Sequence, residues 1–155
     1  MRAALRHPLV YAFVAAALGA VFLYASYDKI LHPAEFARIV YHYRLLGPSA
    51  RLGYVPPNLW AVTLPWIEAV TGLCLVTGLW RREAAIVTGG LLVVFVAAVG
   101  YALSQGIDLA NCGCFSVSGA GRGLGWRLIA GDLALLAVAA YVVVGGPTVA
   151  KNPTP

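Results

Sequence analysis

The stretch LVYAFVAAALGAVFLYASY, Leu9 to Tyr27, runs for nineteen residues without a charged side chain. About 20 apolar residues are needed to cross the hydrocarbon core of a bilayer. No water reaches that depth, so backbone N–H and C=O groups must be satisfied within the segment, and this favours a helix. The stretch is too long for the apolar region of a signal peptide, and no small-x-small cleavage pattern follows it, so it reads as a retained span. Three further stretches have comparable length: Asn58 to Trp80 with Glu68 inside it, Ala84 to Leu103 with no charge, and Trp126 to Val144 with Asp132 inside it.

Composition agrees with a bilayer as the surrounding medium. Of the 155 residues, 61% are hydrophobic and 11% charged, against about 25% charged in an ordinary soluble domain. Mean hydropathy is +0.80. A net charge of +5 is spread along the chain and forms no basic stripe of the kind that binds nucleic acid. The expected architecture is all-α: a four-helix transmembrane bundle over residues 9–144, with spans near 9–27, 58–80, 84–103 and 126–144. Residues 145–155 read as a short disordered tail.

The long first loop contains a fifth helical pattern, Pro33 to Leu46. Phe36, Ile39, Val40, Tyr43 and Leu46 share one face, while Glu35, Arg38 and His42 share another. This is an amphipathic interfacial helix, lying in the headgroup zone or packed on the mouth of the bundle. Pro65 falls inside the second span and frees a carbonyl one turn earlier. Trp60, Trp80 and Trp126 fall at span ends as interface anchors. Ala15 and Gly19 form a small-xxx-small pair suited to packing within the bundle.

Basic residues are nearly balanced between the two sides. Density breaks the tie: Trp80-Arg81-Arg82-Glu83 reads as a tight arginine turn, and Arg2 and Arg6 precede the first span. Both features favour the cytoplasmic face. The expectation is a multi-pass protein of a bacterial inner membrane with both termini cytoplasmic and the loop between the third and fourth spans external.

That loop carries Cys112-Gly113-Cys114. A disulfide closing a three-residue ring stabilises by only about 1.6 kcal/mol in the chain-entropy treatment, against about 3 for fifteen residues. Strained, exposed disulfides are the labile ones, and Gly113 suits the backbone angles such a ring demands. Redox exchange is the leading reading, ahead of a structural pair and a soft-metal pair. Arg122 in the same loop can lower a thiol pKa. Cys74, about 24 Å along its span, sits too far away to join the pair and reads as a small buried side chain.

Glu68 lies about 15 Å along its helix and Asp132 about 9 Å along its own. Carboxylates at such depths must be protonated, paired or set in a polar cavity. Lys29, at the end of the first span, is a candidate partner for one of them. A polar pocket formed by Glu68 and Asp132, with Trp66 as a ring-stacking wall, suggests proton relay or a bound quinone; helix-bundle glue is the plainer alternative.

Several blocks resemble the methylamine utilisation protein MauE family, within the wider DoxX-like group of small four-helix membrane proteins. They are Tyr27-Asp28-Lys29, Leu64-Pro65-Trp66-Ile67-Glu68 with Gly72 and Leu75, Asp108-Leu109-Ala110-Asn111-Cys112-Gly113-Cys114-Phe115, and Trp126 to Leu136 with Asp132. Ser116 and Gly131 depart from the family pattern. The resemblance implies a four-helix membrane fold and a role in disulfide formation or maturation of exported enzymes, as proposed for the methylamine dehydrogenase small subunit. Cys112 and Cys114 would carry the exchange, supported by Gly113, Phe115, Asp108 and Arg122. The partner would be an exported or periplasmic redox protein, thioredoxin-like or disulfide-bearing. A DoxX-like subunit that anchors a periplasmic oxidoreductase is a second reading, and a soft-metal or small-solute carrier a third.

Overall fold

The computed structural model describes the backbone of residues 7–42, 57–105 and 126–145. Five helices account for nearly all of it: α1 (Pro8–Leu31), α2 (Pro33–His42), α3 (Pro57–Thr77), α4 (Arg81–Ser104) and α5 (Trp126–Gly145). The described chain is an all-α bundle, as the apolar pattern predicts. Helices α1, α3 and α4 are each long and apolar enough to cross a membrane, and α5 is a helix of 20 residues.

Helix α1 begins where His7 caps it, the His7 Nδ1 accepting from the Leu9 N–H at 3.4 Å, with Pro8 in the first turn. It stops because His32 precedes Pro33. That placement disfavours helical backbone, and His32 takes φ −123° and ψ 59°. Its inner stripe is Tyr11, Ala15, Leu18, Gly19, Phe22, Ala25, Ser26 and Lys29. Leu9, Phe13 and Tyr24 on the other side are exposed, the arrangement expected of a helix wetted by lipid.

The turn between α3 and α4 lies three residues earlier than the arginine cluster suggests. Helix α3 ends at Thr77, and Gly78 takes φ +91° while Trp80 takes φ +47°. Glycine adopts that left-handed backbone without steric cost, and the Gly78 N–H closes the helix onto the Cys74 carbonyl at 3.0 Å. Arg81, Arg82 and Glu83 are therefore the first turn of α4, where the Glu83 carboxylate complements the helix dipole. Pro65 is accommodated inside a continuous α3.

Helix α1 makes its most extensive packing with α3, and α4 with α5. The pairs run antiparallel: Gly19 meets Gly72 while Lys29, ten residues further along α1, meets Glu68, four residues earlier on α3. Tyr11, near the start of α1, donates to the Val142 carbonyl near the end of α5 at 3.2 Å. The main core gathers Leu18, Phe22, Leu75, Ala85, Leu92 and Val142. Helix α2 docks on the bundle: Phe36 is buried with Ala61 and Leu64 of α3, and Ile39 and Val40 pack beside them. Glu35 and Arg38 face outward.

Candidate functional site

Polar side chains in an apolar bundle show what the fold must solve. Thr63, Thr71 and Thr77 do so locally, each donating to the carbonyl four residues earlier at 2.8 Å. Lys29, Glu68 and Asp132 cannot, and they come together from α1, α3 and α5, with exposures of 0%, 1% and 2%.

The Lys29 Nζ donates to both Glu68 carboxylate oxygens at 2.8 Å. The same ammonium lies 5.4 Å from the ring centroid of Phe36 and 5.0 Å from that of Phe95, within the range where ring quadrupoles attract a cation. One side chain of α1 thus joins α2, α3 and α4. Asp132 is within electrostatic reach of the Lys29 ammonium, and its Oδ2 has no hydrogen-bond partner among the described residues. Sequence alone offers Lys29 to either acid; the structure pairs it with Glu68.

Glu68 and Asp132 face a common cavity of about 20 Å³, walled otherwise by side chains such as Phe22, Leu92, Phe95 and Leu135. That is room for about one water. Trp66 is not among the lining residues and is 58% exposed on the outer side of α3, because its position is offset from the inward stripe of Leu64, Glu68, Thr71 and Leu75. The structure therefore separates Trp66 from the two carboxylates it was expected to join.

Cys74 is a free, partly buried thiol packed against the core. His32 pairs with Asp28 at 3.3 Å near the end of α1. Cys112, Gly113, Cys114, Phe115, Asp108 and Arg122 lie outside the described residues, as do Tyr43 to Leu46, the tail beyond Gly145 and the side chains of His42 and Trp126. The segment that carries the cysteines leaves from the end of α4 and returns at the start of α5. With the antiparallel topology, that is the end of the bundle nearer the charged cluster. Asp132 is about 9 Å below the start of α5 and Phe95 about 14 Å below the end of α4. Phe95 is the cluster member that residue chemistry did not single out, since a phenylalanine on an apolar helix looks the same facing lipid or facing an ammonium; Phe36 was readable only as part of the apolar face of α2.

Comparison with known proteins adds an independent line. A family profile described as methylamine utilisation protein MauE matches residues 7–145. The chain is 31% identical over 130 residues to a methylamine utilization protein MauE of Paracoccus denitrificans, covering 84% of this chain and 66% of that protein. It is 33% identical over 139 residues to the protein of the same name from Methylorubrum extorquens, covering 90% of this chain and 70% of the relative. The chain thus spans about two thirds of the length of these relatives. No solved structure matches it. On a match that runs from the cap of α1 to the last residue of α5, the chain belongs to the methylamine utilisation protein MauE family.

Proposed function

We propose that this chain is a membrane-embedded thiol–disulfide maturation factor, in which Cys112 and Cys114 exchange disulfides with an exported partner protein. The observation that carries the reading is the Cys-Gly-Cys pair on the segment joining α4 to α5 in a chain whose relatives are named for methylamine utilisation. In the exchange, a thiolate of one cysteine attacks a sulfur of the partner's disulfide and forms a mixed disulfide, releasing a partner thiolate. The second cysteine then attacks the mixed disulfide, so the partner leaves as a dithiol and this chain holds the Cys112–Cys114 bond. The reverse sequence oxidises a partner dithiol with the same balance of electrons. Arg122 favours the thiolate, and Gly113 accommodates the small ring. Asp108 and Phe115 flank the pair as supporting residues.

The process served is methylamine utilisation, through maturation of a disulfide-bearing exported enzyme. The setting is a bacterial inner membrane with both termini cytoplasmic and the dithiol external, where the compartment is oxidising. No quinone step enters the proposal, which needs only the two thiols and the partner's disulfide. Cys112→Ser and Cys114→Ser are expected to abolish maturation of the partner and methylamine-dependent growth while the protein still accumulates in the membrane. Full activity in both variants ends the thiol mechanism and leaves the non-catalytic anchoring role.

A further inference from the structure

Asp132 is a buried acid that the Lys29–Glu68 pair does not account for. Lys29, Glu68 and Asp132 are the charged side chains buried among the described residues. Both oxygens of Glu68 are engaged by Lys29, so that pair is electrically closed. Asp132 is 2% exposed, its Oδ2 is unpartnered among the described residues, and it faces the cavity it shares with Glu68. An ionised third charge there would leave the cluster with one uncompensated negative charge in an apolar interior, a costly state. A metal ion is a poor remedy. Hard cations take about six or more oxygen ligands, the cavity offers two carboxylates within hydrocarbon walls, and no group of three or more metal-binding side chains occurs among the described residues. A proton needs no such shell.

We propose that this cavity is a proton-binding site, in which one water bridges Asp132 to Glu68 and a single proton resides on Asp132 Oδ2. The Asp132 hydroxyl donates to the water, and the water donates onward to the Glu68 carboxylate, which keeps its bonds to Lys29. Neutrality sets the occupancy. Two carboxylates and one ammonium hold one proton; losing a carboxylate reduces the number to zero, and losing the ammonium raises it to two. Because the cluster lies toward the end of α4 and the start of α5, the site places a transferable proton in the half of the bundle from which the cysteine-bearing segment departs. It does not depend on the thiols being redox-active.

Infrared spectroscopy of the whole purified protein in lipid nanodiscs tests this directly, in H₂O and D₂O at about pH 6.5, where exposed carboxylates are ionised. The readout is the isotope-sensitive C=O stretch of a protonated carboxylic acid. One such group per chain is expected in the wild type and none in Asp132→Asn. None is expected in Glu68→Gln, where Asp132 surrenders its proton to become the partner of Lys29, and two in Lys29→Met. Absence of the band in the wild type overturns the proposal, as does its persistence in Asp132→Asn, which would assign the proton to another carboxyl. Loss of the wild-type band when choline is replaced by sodium at constant chloride would make this a sodium site instead. Should Glu68→Gln or Lys29→Met fail to accumulate, the wild type, Asp132→Asn and the sodium exchange decide the question.

Discussion

Lys29 holds two carboxylate oxygens and two aromatic rings with one ammonium. Removing a single partner of a buried pair costs about 3–5 kcal/mol, whereas replacing both by apolar groups is often near neutral. Lys29→Met is therefore expected to lower the stability of the purified protein by about 3 kcal/mol, seen as a reduced unfolding temperature in detergent. Adding Glu68→Met should recover most of that loss, and strictly additive losses would show that the two are not coupled. The sequence made Lys29 a candidate partner for one of two acids but could not choose between them. Depths of about 15 and 9 Å along two helices do not separate the acids enough, and rotation about each helix axis is set by packing that no periodicity encodes. The same gap explains Trp66: its spacing from Pro65 and Glu68 was plain, its direction was not.

At the scale of helices, the α1–α3 contact turns on two glycines. A Cβ added at Gly19 would lie 2.6 Å from the Gly72 carbonyl oxygen, and one added at Gly72 would lie 2.9 Å from that of Gly19. Since the obstacle in each case is backbone, the helices must separate. Gly19→Ala and Gly72→Ala should each cost about 1–3 kcal/mol, and the double variant less than the sum because both act at one crossing. Gly90, exposed on α4 with nothing within 4 Å of an added Cβ, is the control, where alanine should be neutral or mildly stabilising. Unfolding temperatures of the four variants check the comparison. The Ala15/Gly19 pair was readable as an in-bundle contact, yet its counterpart Gly72 emerged only as part of a family-like block. Helix existence was legible throughout. The α3–α4 boundary was not, because charge drew attention to Arg81 and Arg82 while the backbone turned at Gly78 and Trp80. Docking of α2 through Phe36, rather than by lipid contact alone, was one of two readings its amphipathic pattern allowed.

Across the whole molecule, antiparallel packing puts the Gly78–Trp80 turn at one end and the departure point of the cysteine-bearing segment at the other. The topology we propose, read from charge density, puts the turn in the cytoplasm. A cysteine introduced at exposed Arg82, with Cys74, Cys112 and Cys114 replaced by alanine, should react with a membrane-impermeant maleimide only after permeabilisation. Cys112 and Cys114 should react from outside in intact cells, once reduced. The opposite pattern inverts the orientation and removes the oxidising setting on which the exchange depends. The bundle itself was open to reading because apolar runs of spanning length leave few alternatives; the order in which its helices meet was not, since several arrangements bury the same stripes. That order bears on how the chain is made. Lys29 emerges from the ribosome 39 residues before Glu68, an interval of about 2–8 s at ordinary rates of synthesis. During that time the nascent first span must keep its ammonium at the membrane surface, where a lysine can snorkel. Its pairing in the bundle waits for α3, so the buried ion pair forms only after the chain has been translated past Glu68.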